Sequence, residues 1–161
     1  MFDPTQSNTT YWRTLTRRGQ LLRTRQQAEA YREAAILPTG LVHPEILKKA
    51  NAAFLRGDHD IAVLSAFKTV EIAVRKAGRY EEGELGVKLM RKAFEPSKGP
   101  LADRTLEAVE QQAQSDLFAG AIGAAKNPAS HRDVEMSKAE AARLILFASY
   151  LLSIADSRSG R

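Results

Sequence analysis

The sequence predicts an all-α protein: a small helical bundle with an additional basic helix at its N-terminal end. Apolar residues recur at spacings of three and four along most of the chain, and the alternation of period two that is typical of strands is nearly absent. Ala, Leu, Glu, Lys and Arg, which favour helices, are abundant. With 161 residues, 43% of them hydrophobic, the chain is long enough for one substantial core.

Residues 1–40 are distinguished by their arginines. Residues 11–35 are predicted to form one amphiphilic helix that ends at Pro38 and Gly40, and we place the domain boundary there. Residues 1–40 contain six arginines against three carboxylates, a net charge of +3 out of +5 for the whole chain. Arginine at this density suits phosphate contacts, although a solvated helix face explains it equally well. The candidates for RNA contact in this segment are Arg13, Arg17 and Arg18.

The main domain, residues 41–157, is predicted to begin with two helices. Pro44 suits a first helical turn, so the first helix opens at His43-Pro44, where His43 is expected to be a local cap or surface group. Gly57-Asp58 then turns the chain. The second helix spans about 60–77, with a clear apolar face, and Gly78 is expected to end it as a C-cap.

Three further helices are predicted. A short one covers about 84–94, and a long one covers about 103–126, which Asn127-Pro128 ends because a residue before proline is pushed out of the helical region. Ser137 and Glu140 have the spacing of a capping box at the start of the last helix. The expected buried face of the long helix consists of Leu106, Val109, Ala113, Leu117, Ala121 and Ala125.

The last helix is apolar almost all round between Leu144 and Ile154. A helix of this kind is usually central in a bundle or shared with a second subunit, so we expect a homodimer that buries part of it. The apolar run is too short to span a bilayer, and no membrane association is expected. Residues 158–161 are taken as a tail.

Composition excludes several kinds of site. The chain has no cysteine, so a disulfide scaffold, a thiolate zinc site and a cysteine nucleophile are all excluded. Asp58-His59-Asp60 resembles a small metal cluster, but no second ligand at helical spacing supports it, and a solvated turn is the preferred interpretation. We therefore predict neither a metal nor another cofactor. The polar start of the chain has no apolar signal core, so a cytoplasmic location is expected.

One group of residues between the last two helices could carry chemistry. Lys126 ends a helix, Asn127 begins the turn, and His131 can fold back beside them. A cation and an imidazole together can stabilise charge on a phosphate and move a proton, for example from a ribose 2′-hydroxyl. Because the residues lie at a helix end, substitution there is not expected to unfold the protein. A capped helix junction explains the same spacing equally well.

A polar stripe on the second helix supplies further candidates. Lys68, Glu71 and Arg75 share one helical face, and Glu71 and Arg75 have the spacing of a favourable ion pair. This stripe could line a cleft in which Lys68 and Arg75 contact RNA. An ordinary surface salt bridge is the alternative.

These pieces, in this order, resemble the prokaryotic Ymh-type uncharacterised family, a branch of the HEPN superfamily. The resemblance covers about residues 41–157 and is most specific where the Phe-Lys-x-x-Glu helix is combined with the Asn-Pro-x-x-His element. The matching segments are His43-Pro44, Ala66-Phe67-Lys68 with Glu71 and Arg75, Gly86 with Leu89-Met90 and Phe94, Glu110-Gln111 with Phe118 and Gly120, and Asn127-Pro128 with His131.

The resemblance implies a helical bundle that dimerises and a metal-independent ribonuclease of the kind found in toxin–antitoxin, abortive-infection and other phage-defence systems. The superfamily signature is an arginine, a polar residue directly after it, and a histidine a few residues later, with two copies facing each other across the dimer. Asn127 and His131 match the last two positions. Lys126 replaces the arginine, so the charge is kept but the two-pronged phosphate contact is lost. Arg132 is a candidate to take over that contact.

Two functions of different class follow. The first is an endoribonuclease in which His131 is the acid or base, Lys126 the phosphate clamp and Asn127 a positioning group. The 2′-hydroxyl would attack the phosphate and leave a 2′,3′-cyclic phosphate. The second is a non-catalytic module that binds nucleic acid, an antitoxin or another defence-system partner.

Overall fold

The computed structural model describes residues 36–126 and 135–159, and every regular element within them is helical. The prediction of an all-α fold is therefore confirmed for this part of the chain. After a single 3₁₀ turn at Thr39–Leu41, five α-helices follow, with one π-helical turn before the last. Their bounds are α1 Pro44–Arg56, α2 His59–Ala77, α3 Gly86–Ala93, α4 Ala108–Ala121, the π turn Ile122–Lys126, and α5 Lys138–Arg158.

The helices α1 and α2 form as predicted. Gly57 ends α1 with a φ of +92°, a left-handed conformation that glycine adopts without steric cost. Gly78 is the C-cap of α2, but its φ of −81° is right-handed, so the reason for glycine there is different. A Cβ at this position would overlap the ring of Tyr80, which folds back over the end of the helix. Space, and not backbone conformation, selects glycine at residue 78.

The predicted helix over 103–126 starts too early. Asp103 accepts hydrogen bonds from the N–H and hydroxyl of Thr105 (3.1 and 2.7 Å), a local turn that competes with helix formation. The helix α4 begins only after Glu107, whose N–H donates to the Glu110 carboxylate at 3.0 Å. This capping arrangement fixes the start of α4.

The predicted buried face of this helix is also wrong except at Ala121, which is buried as expected. Val109 is 80% exposed, Leu117 is 38% exposed, and Ala113 is exposed as well. The core side instead carries Gln111, which accepts from the Ser97 N–H and donates to the Leu106 carbonyl, both at 2.9 Å. These bonds join Gln111 to the segment between α3 and α4, so the core side of the helix differs from its apolar periodicity. The residues that α4 buries are Gln111, Ser115, Phe118, Ala119 and Ala121.

The last helix, α5, is central in the bundle, as one of the two sequence interpretations expected. It packs most extensively on α2, where the rings of Phe67 and Phe147 meet edge to face with centroids 6.2 Å apart. Ser149 interrupts the apolar run. It is buried, and its hydroxyl bonds to the segment that leads into α1. Its hydroxyl accepts from the His43 N–H (2.6 Å) and donates to the Leu41 carbonyl (3.3 Å). No helix among the described residues is long and apolar enough to cross a membrane.

Both ends of the bundle differ slightly from the predicted domain limits. The compact unit begins at Leu37, which is buried, a little before the predicted boundary. At the other end, Arg158 belongs to α5 and not to a tail. Its guanidinium Nη1 lies 3.1 Å from Asp103 Oδ2, and both side chains are largely buried, at 10% and 13% exposure. This ion pair fastens the end of α5 to the loop before α4.

Candidate functional site

A buried carboxylate lies at the centre of the candidate site. Glu71 projects from α2 among buried apolar neighbours such as Val70 and Val74, and it is only 2% exposed. A carboxylate in such a place is stable only when donors satisfy its oxygens. Both oxygens have one. Oε1 accepts from the Gly86 N–H at 2.5 Å, and Oε2 lies 2.6 Å from Nζ of Lys126.

The π turn brings Lys126 to this carboxylate. A π turn holds more residues than an α-helical turn and is often found at functional sites. Ile122, at its start, is buried, and Lys126, at its end, keeps 16% side-chain exposure. The short ion pair with Glu71 therefore links the end of the α4 helical stretch to the middle of α2. Lys126 is therefore part of the fold, and its substitution is expected to reduce stability, which its position at a helix end did not indicate.

The first residue of α3, Gly86, is the third member of this group. Its φ of +67° is left-handed, which directs its N–H at Glu71 and favours glycine. Lys92 of α3 contacts the loop before this helix at the surface, with its Nζ 2.7 Å from Glu84 and 4.7 Å from the centroid of the Tyr80 ring. The hydrogen bond to Glu84 raises the pKa of Lys92, and burial raises the pKa of Tyr80.

The three groups form one hydrogen-bonded cluster, which we call the Glu71 cluster (Glu71, Gly86 and Lys126). Chemically it holds a lysine ammonium in a defined position directly before Asn127. An ammonium carries three donors, and one of them is directed at Glu71. The carboxylate also reduces the net charge that Lys126 presents to an anion, so the lysine is weaker here than an isolated cation would be.

Most of the other predicted site residues lie outside the described residues. These are Asn127, His131 and Arg132 after the π turn, and Arg13, Arg17 and Arg18 near the N-terminus. Lys126 is thus the member of the predicted catalytic group whose surroundings the structure describes. The role assigned to all of them stays a prediction.

The predicted polar stripe on α2 does not act as one unit. Glu71 is buried and pairs with Lys126, and no ion pair between Glu71 and Arg75 occurs among the described residues. The expected Glu71–Arg75 pair is therefore wrong: both carboxylate oxygens are already engaged by partners far away in sequence. Arg75 is half-buried, whereas Lys68 is exposed and opens into a cleft on another side of the helix.

The sequence analysis expected Lys68 to line a cleft but did not foresee its walls, which are formed by α1, α2 and α5. At one end of it, His43 Nε2 lies 3.0 Å from Asp156 Oδ2, while Nδ1 accepts from the Glu45 N–H at 3.3 Å. The prediction that His43 is a local cap is confirmed, but its contact with Asp156 was not foreseen. The two residues are at opposite ends of the domain sequence, so no local pattern joins them.

His59 also differs from the predicted solvated turn. Its side chain is half-buried, with its ring 5.6 Å from that of Phe54 and Nδ1 3.0 Å from the Met136 carbonyl. It thereby connects the start of α2 to the chain that leads into α5. Within residues 36–126 and 135–159, no three His, Asp or Glu side chains are grouped so as to hold a metal ion.

Comparison with known proteins gives one informative result. The sequence profile of a family described as a protein of unknown function (Hypoth_ymh) matches residues 40–154. No curated protein and no solved structure matches the chain. The match begins within the 3₁₀ turn and ends within α5, so it includes the Glu71 cluster and every residue that lines the cleft except Asp156. Because it covers well over half of the chain, the protein belongs to the Hypoth_ymh family.

Proposed function

We propose that this protein is a metal-independent endoribonuclease of the HEPN type, with a site built from Lys126, Asn127 and His131. The observation that carries the proposal is the buried ion pair between Glu71 and Lys126. It fixes an ammonium group immediately before the Asn-Pro-x-x-His element. A phosphate-binding cation must be held in place before the substrate arrives if it is to stabilise transition-state charge.

In the proposed reaction, the ribose 2′-oxygen attacks the adjacent phosphorus while one His131 imidazole takes the 2′-hydroxyl proton. The bond from phosphorus to the 5′-oxygen breaks, and the His131 of a second copy gives that oxygen a proton. The products are a 2′,3′-cyclic phosphate and a 5′-hydroxyl. Lys126 stabilises the charge on the non-bridging oxygens, Asn127 orients the phosphate, and Glu71 positions Lys126.

The test is incubation of the full-length protein with total RNA in the presence of EDTA. Cleavage that leaves 2′,3′-cyclic phosphate ends, and that disappears in His131→Ala, is the expected result. His131→Ala prepared in parallel is the essential control, because contaminating ribonucleases that need no metal produce the same ends. Equal cleavage by both preparations contradicts the proposal.

A second function is favoured by the same ion pair. Glu71 neutralises much of the charge on Lys126, which suits a non-catalytic module that binds nucleic acid or a defence-system partner. For that module, the RNA pool stays intact while the protein binds it, and the affinity falls steeply with salt. If the affinity depends less steeply on salt after removal of residues 1–38, the phosphate contacts are assigned to Arg13, Arg17 and Arg18. If the RNA stays intact and the protein still binds it, the non-catalytic module is the correct function and the enzyme is not.

Either function is expected to act as a homodimer, and α5 offers the surface. Tyr150 is 59% exposed, and Leu146 and Ile154, one turn away on each side, are only half-buried.

Tyr150→Glu should convert a dimer into a monomer, because it places a charge in the apolar contact. Light scattering at micromolar concentration measures this. Val109→Glu on α4, an even more exposed site, is the matched control. A wild type that is monomeric contradicts the proposed dimer surface on α5. A dimer that is lost only in Val109→Glu contradicts it as well.

A further inference from the structure

The solvent side of α4 is apolar. Val109, which is 80% exposed, and Leu117, which is 38% exposed, share this side with the exposed small residues Ala113 and Gly120. Because each residue of an α-helix advances by about 100°, these four positions fall within an arc of about 80° around the helix axis. The side of α4 that faces the core includes buried polar residues instead. The described part of the chain thus leaves an apolar surface uncovered, which we call the α4 face (Val109, Ala113, Leu117 and Gly120).

The spacing within the α4 face suits a second helix. Its residues follow one another at intervals of four, four and three, which is the spacing of contacts along a helix that packs on another helix. Large and small residues alternate, so side chains of a partner helix can lie over Ala113 and Gly120. A Cβ at Gly120 would meet nothing within 4 Å beyond the backbone of its own helix, so this space is open.

The charge around the α4 face indicates the chemistry of the partner. Residues 107–121 contain three carboxylates and no lysine, arginine or histidine, a net charge of −3 in a chain of net charge +5. By helical position, Asp116 borders the face beside Val109, and Glu110 borders it beside Leu117. Asp116 is paired with Arg91 at 2.7 Å, and the hydrogen bond from Arg91 lowers its pKa. Glu110 forms no ion pair with a described residue, so its charge is available to a cationic partner.

The same carboxylates oppose other occupants of the α4 face. A second copy of the face would bring like charges together, nucleic acid would bring phosphates, and a membrane surface would bring anionic lipids. A basic helix combines apolar contact with favourable charge at the edge of the face. Charge complementarity therefore selects a basic helix from among these occupants.

We propose that the α4 face is a docking site for a basic amphipathic helix of a partner protein. The apolar side of the partner helix packs on Val109 and Leu117, and its lysines or arginines lie along the edge that Glu110 forms. The inference does not rest on ribonuclease activity, because no residue of the Glu71 cluster belongs to the α4 face.

Fluorescence anisotropy of labelled synthetic peptides with the full-length protein tests the proposal. The probe is an amphipathic peptide of leucine and lysine at helical spacing, and the reference peptide has glutamate in place of every lysine. We expect the lysine peptide to bind with one site per chain. Its affinity should be at least about tenfold higher than that of the glutamate peptide, because like charges across the contact oppose binding of the latter.

Val109→Ser tests the apolar part of the contact. It should weaken binding of the lysine peptide by about tenfold, as the loss of one valine buried in the contact predicts. Leu55→Ser on α1 is the matched control, because Leu55 is 72% exposed and lies outside the α4 face. Both substitutions are at exposed positions, so neither is expected to unfold the protein. Equal weakening by the two variants overturns the proposal.

Glu110→Gln tests the electrostatic part. Glutamine keeps an acceptor for the Glu107 N–H, so the start of α4 is retained. The affinity for the lysine peptide should fall by about threefold and should depend less steeply on salt, as expected for the loss of one exposed charge pair. Glu82→Gln removes the same charge from an exposed position outside α4 and should change neither quantity. Identical behaviour of the two variants contradicts the assignment of a basic partner.

Two further results replace the partner helix by another occupant. If the lysine peptide does not bind and Val109→Ser lowers the oligomeric state in light scattering, a second copy of the chain covers the α4 face. If the peptide does not bind and Val109→Ser reduces co-sedimentation with vesicles of phosphatidylcholine and phosphatidylserine, the face contacts a membrane. Absence of lysine-peptide binding at millimolar concentration overturns the proposal in every case.

Discussion

Replacing Lys126 with alanine is expected to lower the free energy of unfolding by about 3–5 kcal/mol, because it leaves the Glu71 carboxylate buried beside a single remaining donor. Glu71 is 3% exposed in its side chain and loses its ion-pair partner, while the Gly86 N–H remains. Chemical denaturation of the variant and the wild type measures the difference. If the protein is the proposed ribonuclease, cleavage should fall by about a hundredfold or more at a temperature where the variant is folded.

Lys92→Ala is the matched control for this prediction. It removes the same ammonium group from an ion pair of similar length, 2.7 Å against 2.6 Å, but on the surface. Exposed pairs contribute little, so its effect on stability should be much smaller. Comparable losses in the two variants would show that burial of the pair is not what matters, and would contradict the assignment of Lys126 to the fold.

Two more substitutions separate the structural and catalytic roles of Lys126. Lys126→Arg keeps a cation beside Glu71 and should retain the fold while keeping or raising cleavage, because a guanidinium can contact two phosphate oxygens. The double variant Lys126→Met/Glu71→Gln removes both charges and keeps an acceptor for Gly86. It should be more stable than Lys126→Ala yet inactive. If the wild type does not cleave RNA but Lys126→Arg does, the natural protein is an inactive member of the superfamily that binds RNA without cleaving it.

Arg158→Ala is expected to destabilise the bundle by about 1–3 kcal/mol, because Asp103 would lose the guanidinium that pairs with its largely buried carboxylate. The guanidinium also contacts Gln114 at 3.5 Å, so its loss loosens the end of α5 from α4. Thermal or chemical denaturation measures the effect. Arg143→Ala, at an exposed position of the same helix, removes the same side chain where the structure shows no ion pair with a described residue. An equal effect of both would contradict the prediction.

The helices were predictable because their signals are local. Proline at the start of α1, Gly57 after it and Ser137 before α5 act through neighbouring backbone groups, so the sequence alone places those ends. The orientation of α4 was not predictable in this way. Its apolar periodicity points to Val109 and Leu117, but the polar side chain of Gln111 has two loop bonds that only the folded chain supplies.

The candidate site was predictable only in part, for a related reason. Lys126 was identified from the residues that follow it, yet the sequence favoured Arg75 as the partner of Glu71 because helix neighbours are the simplest choice. The actual partners of Glu71 come from the first residue of α3 and from the end of another helical stretch. The same holds for His43 and Asp156, which meet only when α5 packs beside α1 and α2. Residue pairs that form between different helices have no regular spacing in the sequence by which they could be predicted.

The number of residues in the π turn determines the direction of the side chains that follow it. A regular α-helix advances each residue by about 100° around its axis, so a wider turn shifts the direction of every side chain after it. Deleting a single residue within Ile122–Lys126 would let α4 continue as a regular helix and would turn the lysine away from its carboxylate. Insertions and deletions among relatives are therefore expected to be rare in this turn, even though it is a helix end, where length variation is ordinarily tolerated.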